Sequence, residues 1–422
     1  MERIILVAGS TETLEYFSLQ IAEYFLARGR EVFLWDMKHP TASIEEFEKL
    51  GDPQNSILVT FNFIGMNNEG QFSAGLVSIW DRLGIRKICI MVDSPVYYYR
   101  QLSSHIPDLT LVCIDRYHRD FVMQQYPEYG EVLFMPLAGN RAVCDLWKKP
   151  GIMDRGDIGY FEIGDMHFFG RDIGTGFERW KKRRIDALFI GNYVPLESLE
   201  PSVARLSSEY REFIDDIIRQ MFEENKRPLE SILMERLHKE FPDCEQEEYL
   251  EACFQMVYID LYIRNAYRGK IVTALADSGI KVYCTGKDWD KAPCSHPENL
   301  IHTGCSVNSI DCLQALSQAK LSLNMMPWFK AGAHDRVFSS MLQGCALLSD
   351  SSEYIDEILT EGRDYFGFDL DKPDATSETA ALIAKSILGH EEKAFEVAVS
   401  GYEKAFENHT WKNRAELLET LL

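Results

Sequence analysis

"NMMPWFKAGAHDRVFSSMLQGCALLSD", residues 324–350, is the stretch on which the fold turns. An apolar, strand-like run at 321–324 leads into it, a helical pattern at 337–343 follows, and Gly344 precedes a second apolar run at 345–348. That is a strand, a helix and a strand, with His334, Asp335 and Arg336 in the loop where the helix begins. In a parallel α/β sheet such a loop lies at the carboxyl edge, where ligands bind. The first helical turn offers unpaired N–H groups and a partial positive charge, which suit a phosphate. Arg336 adds a forked cation matched to phosphate oxygens. Asp335 can cap the helix through its carboxylate, and Gly332 permits close approach of backbone to a ligand. The plainer alternative is a capped helix with a surface arginine. Basic residues are favoured at the opposite end of a helix, however, so Arg336 points towards an anion site.

Outward from this stretch, the same pattern recurs in both directions. Apolar runs without alternation occur at 3–8, 31–36, 56–61, 87–93, 109–114 and 131–136. Helical stretches separate them, the first with Leu14, Phe17, Ile21 and Phe25 on one face and Gly29 at its end. Continuous apolar strands alternating with helices predict a parallel sheet covered on both faces. Residues 140–182 are glycine-rich and irregular, and read as a linker with surface loops. A second strand series follows at 185–192, 281–286, 300–304, 321–324, 345–348 and 365–368. Its first two members are separated by a charged, helix-favouring insertion at about 201–269. The expected division is 1–182 for a first Rossmann-like domain with its linker, 183–402 for a second, and 403–422 for a helical tail.

The 44 basic and 66 acidic residues leave a net charge of −22. That balance argues against nucleic acid or an anionic membrane as the main partner. No apolar run approaches the ~18 residues of a membrane span, and the N-terminus has neither a basic region nor a long apolar core of the signal-peptide kind. The ten cysteines are scattered, with no C-x-x-C pair and no zinc-type spacing, which fits reduced thiols and a cytoplasmic location. "GSTETLEYF" after the first strand has one glycine where a dinucleotide fingerprint needs three. No D-x-D motif of the metal-binding kind stands at a strand end, and no P-loop, nucleophile elbow or H-E-x-x-H is present, so neither a metal nor a cofactor is expected.

The opening stretch resembles the nucleotide-binding segment of GT-B glycosyltransferases, most closely the bacterial spore-maturation-protein-like family. In that family a similar pattern runs H-D-R-[VI]-F-x-x-M-x-x-G-x-x-x-x-[ST]-D. "RIDALFIGNY" (184–193), "IDLYIRNAYRGKIVTALADSGIKVYCTGKDW" (259–289) and "HTWKNRAELL" (409–418) resemble it too. The resemblance implies two Rossmann-like domains facing across a cleft, the second holding a nucleotide-sugar donor and the first an acceptor, protein or glycan. It implies metal-independent transfer of the sugar to an acceptor hydroxyl.

Residue by residue, the resemblance gives Arg336 and the helix N-terminus the diphosphate, His334 a phosphate or the sugar, and Asp335 the loop or a hydroxyl. Gly191 and Asn192 would lie under the donor phosphates, where the alternative is a plain turn. Lys287 would neutralise the leaving diphosphate, where the alternative is a solvated lysine. His302 falls in the segment that meets the nucleobase through backbone groups. Ser339 stands where many retaining enzymes carry a ribose-binding glutamate, which leaves ribose binding and stereochemistry open. Asp93, just past a strand of the first domain, either caps the following segment or is the base that deprotonates the acceptor. Two other functions fit the same fold, a nucleotide-sugar 2-epimerase and a non-catalytic nucleotide-sugar or protein binder. The helical insertion is a candidate surface for a homodimer or for docking an acceptor protein.

Overall fold

The structure is a computed structural model that describes residues 2–67, 69–74, 77–141 and 176–422. Most of the expected linker, 142–175, lies outside the described residues. The chain divides into two compact units, Met1–Gly156 with His409–Leu422, and Asp157–Asn408.

The first unit contains β1 (Arg3–Ala8), β2 (Val32–Asp36), β3 (Ser56–Phe61), the short pair β4 (Ser73–Ala74) and β5 (Val77–Ser78), then β6 (Arg86–Met91), β7 (Leu109–Cys113) and β8 (Leu133–Phe134). Six of these form one sheet in the order β2-β1-β3-β6-β7-β8, every neighbour parallel. β1 and β3 are buried along their whole length, as strands covered on both faces must be. Beside them Trp35, Phe47, Phe72 and Trp80 form one aromatic cluster, with ring centroids 4.8–6.0 Å apart.

The helix Trp411–Glu419 belongs to this unit although it comes last in the chain. Trp411 is 2 % exposed and packs on Phe17 and Phe61, with centroids 4.7 and 5.9 Å away. Its indole N–H donates to Asn140 Oδ1 (3.0 Å), which also accepts from Gln20 Nε2 (2.9 Å). Arg414 donates to the carbonyls of Pro136 and Leu137 at 2.7 and 3.2 Å. Thr410 and Asn413 close a capping box at the helix start. The segment "HTWKNR" is therefore a plug for the first unit's core.

The second unit contains β9 (Ile185–Ile190), β10 (Val282–Thr285), β11 (Leu300–His302), β12 (Ala319–Asn324), β13 (Ala346–Ser349) and β14 (Phe366–Gly367). Their order, β11-β10-β9-β12-β13-β14, is again wholly parallel and reverses direction between β9 and β12. That reversal is the topological switch point of a doubly wound sheet, outside whose carboxyl ends ligands bind. Between β9 and β10 stand helices Ser208–Glu223, Leu229–Glu240, Gln246–Gln255 and Val257–Asp277. The last runs straight through Gly269, where the sequence pattern suggested that the insertion stops. The glycine is there for contact and not for a break. A Cβ on it would lie 2.9 Å from the Tyr193 ring.

Candidate functional site

The helix after β12 begins at Asp335 and ends at Leu342. Its N-cap is His334, not Asp335 as expected, and His334 has the extended backbone of a cap while Asp335 is the first helical residue. Arg336 is 8 % exposed, which rules out the surface-arginine alternative. Its Nη1 donates to Ile190 O at 2.7 Å, its Nε to Asn324 Oδ1 at 3.1 Å and its Nη2 to Met325 O at 3.3 Å. One guanidinium thus ties the end of β9 to the end of β12 at the switch point. Burial pulls its pKa down to about 10, with Asp335 opposing, so it remains a cation at neutral pH. Gly191 lies directly over it, since a Cβ there would be 3.1 Å from Nη1.

His334 Nδ1 is 2.6 Å from Asp335 Oδ1 and 3.2 Å from the backbone N of Arg336. A neutral Nδ1 cannot both donate to a carboxylate and accept an N–H. The shorter contact, to a charged acceptor, decides for Nδ1–H donating to Asp335. Burial, followed by the Arg336 charge, pulls the His334 pKa down to about 4, so the ring is neutral at pH 7. Burial works against ionisation of Asp335, but His334 and Arg336 outweigh it and carry the carboxyl below its ordinary value. With Nδ1 committed, the other ring nitrogen is an acceptor. The expected role of His334 as a donor to a phosphate does not fit this tautomer, whereas accepting from a hydroxyl does.

Two arginines that the sequence reading passed over complete the cluster. Arg264 and Arg268 stand one turn apart on Val257–Asp277, with guanidinium carbons 4.0 and 5.4 Å from the Trp328 ring centroid. Arg268 Nη1 donates to Asn192 O at 3.1 Å, and Arg264 Nη2 pairs with Asp260 at 2.6 Å. The His334 ring also meets Trp328, with centroids 6.0 Å apart and the rings nearly perpendicular. Two guanidiniums, of Arg268 and Arg336, therefore meet the turn after β9, with that of Arg264 close by over Trp328, in a chain of net charge −22. The sequence signal was available, as an i, i+4 pair of arginines inside the "IRNAYRGK" segment.

The turn itself is held from the β10 side. Asn192 Oδ1 accepts from Lys287 N (2.9 Å), Trp289 Nε1 donates to Gly191 O (2.8 Å), and Gly191 N donates to Thr285 O (2.9 Å). Gly286 has φ +135°, and a Cβ on it would sit 2.4 Å from Gly191 O. No side chain fits there, which is why the two turns can interlock. The structure thus brings Gly191, Asn192, Asp335 and Arg336 together with Lys287, whose side chain is exposed. His302, at the end of β11, is exposed two strands from β9. Ser339 is 3 % exposed inside the helix.

Below the loop Asp350 is 1 % exposed and accepts from Met326 N at 2.9 and 3.1 Å. Burial, only partly opposed by that N–H and by Lys330, pushes its pKa up to about 7. In the first unit Asp93 follows β6. Ser94 caps the next turn by accepting from Val96 N, so Asp93 is not the cap. Asp93 Oδ2 accepts from Asn62 Nδ2 (3.1 Å) and Tyr98 OH (3.2 Å). Among the described residues no three His, Cys, Asp or Glu side chains are grouped to hold a metal ion, and no helix is long and apolar enough to cross a membrane.

A family model described as glycosyl transferase-like matches residues 268–420. No curated protein matches the chain in sequence. Among solved structures, sucrose-phosphate synthase from Thermosynechococcus elongatus is similar over 100 % of this chain and 98 % of its own, with a TM-score of 0.53 at 10 % identity. A glycosyltransferase from Rickettsia africae (8 % identity, TM-score 0.48, 100 % and 97 % covered) and HepE of Anabaena in complex with UDP (10 %, 0.46, 100 % and 99 %) resemble it less closely. The two six-stranded parallel sheets and the first of these likenesses give the chain the GT-B fold. Fold and matched domain are those of a GT-B glycosyltransferase.

Proposed function

We propose that the chain transfers a sugar from a nucleotide-sugar donor to an acceptor hydroxyl, with the donor diphosphate bound at the turn after β9. The observation that carries this is the convergence of Arg268 and Arg336 on Gly191–Asn192 at the switch point, with Arg264 beside Arg268 over Trp328. Arg336 and the interlocked turns hold the floor of the site. Arg268, Arg264 and Lys287 supply the cationic wall, and His334 accepts from a sugar hydroxyl. In the reaction the bond from the anomeric carbon to phosphate breaks, the electron pair leaves with the diphosphate, and the acceptor oxygen bonds to that carbon. Fixed guanidiniums and backbone N–H groups stabilise the departing charge, a task that needs no metal.

The first unit is the acceptor side in this reading, and an inverting reaction would deliver the acceptor's proton to Asp93, held ready by Asn62 and Tyr98. His302 flanks the base, and Ser339 is too buried to reach a ribose directly. The spore-maturation-protein-like family of bacteria is the narrower assignment, supported by the H-D-R segment, and a cytoplasmic location is supported by the scattered cysteines. Thermal unfolding with UDP, GDP, ADP, dTDP and CDP tests the donor site. A nucleotide at a hundred times its dissociation constant stabilises by about 2.7 kcal/mol, and a tenfold loss of affinity in Arg268→Ala should cut that shift to about 1.4 kcal/mol or less. The reading fails if no diphosphate stabilises the protein, or if the shift is unchanged in Arg268→Ala. Nucleotide binding without sugar transfer or hydrolysis would favour a binding-only protein, to which the buried Ser339 lends support.

A further inference from the structure

The helix Val257–Asp277 has a second working face. Arg268 reaches the turn after β9 and Arg264 lies one turn before it over Trp328, whereas Tyr262, Ala266, Gly269 and Thr273 follow one another at helical spacing along a different side. Small residues at 266 and 269 leave a hollow there. It is part of a cavity of about 520 Å³, completed by Phe222 and by the start of helix Pro373–Gly389. That volume is in the range of small-ligand sites.

Three aromatic rings, of Tyr193, Phe222 and Tyr262, line the cavity. Its charged groups are Glu197, Asp277, Asp374 and Lys270, and the single cation is already paired with Asp374 at 2.7 Å. The buried Asn265 is held by its own helix and the chain beside it, its Oδ1 accepting from Val194 N and its Nδ2 donating to Leu261 O. What faces an occupant is therefore aromatic surface, tyrosine hydroxyls and an excess of carboxylate. A phosphate would meet repulsion here. A pyranose ring would lay its C–H face on the aromatics and donate its hydroxyls to the carboxylates, which accept without donating.

We infer that this cavity is a second carbohydrate site, taking an uncharged sugar unit of a glycan, separate from the donor diphosphate site on the other side of the same helix. Burial raises the pKa of both Tyr193 and Tyr262, so their hydroxyls stay protonated and can donate to ring or glycosidic oxygens. The two sites share a wall. Tyr193 stacks on Trp289, centroids 5.2 Å apart, and Trp289 in turn donates to Gly191 O. A sugar resting on Tyr193 is thus one side chain away from the donor turn. This places a glycan-holding function on the unit that carries the glycosyl transferase-like domain, which suits an enzyme that returns to a growing chain.

The test is saturation-transfer NMR on the full chain with maltose, cellobiose and N,N′-diacetylchitobiose as neutral probes and glucose 6-phosphate as the anionic control. At least one neutral disaccharide should bind saturably, with glucose 6-phosphate at least about tenfold weaker, the sign expected from the carboxylate excess. Tyr262→Ala should weaken that binding about tenfold or more, while Tyr262→Phe, which keeps the ring, should retain most of it. Arg268→Ala should leave it unchanged, which separates this site from the donor site whatever the outcome for nucleotides. Absence of binding by all three disaccharides, equal loss in Arg268→Ala, persistence in Tyr262→Ala, or preference for the phosphorylated sugar would each overturn the inference. Tyr262→Phe guards against misfolding, because a merely disrupted helix would not distinguish ring from hydroxyl.

Discussion

Replacing Arg336 by methionine is the sharpest probe of how the donor turn is built. Methionine roughly fills the stem volume but leaves Ile190 O, Met325 O and Asn324 Oδ1 without their shared donor. Each buried acceptor so stranded costs about 1–3 kcal/mol. Against this, the variant no longer buries a cation, whose desolvation is evident in the lowered Arg336 pKa. The net expectation is a loss of about 3 kcal/mol, near the low end for breaking a buried charged network. For a unit of this size that corresponds to a fall in unfolding midpoint of roughly 6–12 °C. Calorimetry gives the midpoint, and amide hydrogen exchange on peptides covering 185–193 and 319–326 locates the damage. Arg336→Lys keeps the charge but not the fork and should recover less than half of the loss. If Arg336→Met unfolds at the wild-type midpoint with unchanged exchange in both peptides, the guanidinium does not hold the two strand ends together. A destabilised variant that still binds nucleotide would instead separate the floor of the site from its cationic wall.

Other perturbations read neighbouring links. Arg264→Ala should weaken donor binding about tenfold, as loss of one charge-assisted contact implies, while moving the midpoint little, since its guanidinium is partly exposed and already shared with Asp260; titration calorimetry measures the first and a melt the second. Gly286→Ala forces a Cβ within 2.4 Å of Gly191 O at a positive φ, so nucleotide binding should be lost and stability should fall by about 1–3 kcal/mol or more. Asp350 has a folded pKa of about 7 against an ordinary 3.8, so the folded state holds a proton that the unfolded state has released. Its contribution therefore makes stability fall as pH rises from about 4 to about 7, and Asp350→Asn should flatten that slope in denaturant titrations. Trp411→Ala should cost about 3–5 kcal/mol in the first unit, measured by the same titrations, because the ring fills the space against Phe17 and Phe61.

The strands were legible because a parallel strand covered on both faces is apolar at nearly every position. "RIILVA" and "SILVTF" are too short for helices and rich in β-branched residues, and their positions match β1 and β3. The loop before Asp335–Leu342 was legible as a special place for the same reason, being polar between two such runs. What the residues do there was less so. Arg336 looked like a ligand for phosphate, and its first commitments are to the carbonyls of Ile190, at the end of β9, and Met325, just past β12, 146 and 11 positions away in the chain. Such partners are set by tertiary packing and leave no local pattern. The caps at 334 and 94 each fell one residue from the expected one, because His, Asp and Ser compete for the same backbone N–H and the winner depends on backbone angles. Arg264 and Arg268 were hidden by their setting, a helix that reads as the end of a charged insertion until its place beside β9 is known.

The plug formed by Trp411 and Arg414 also bears on the order in which the protein is made. The second unit is one continuous segment, whereas the first is closed by residues near the end of the chain. At a synthesis rate of about 5–20 residues per second, the face formed by Phe17 and Phe61 waits on the order of tens of seconds for its cover. The unit translated first is thus the one completed last. During that interval its exposed aromatic surface is a natural client for a ribosome-associated chaperone, and slowing translation late in the message should lengthen the chaperone's hold.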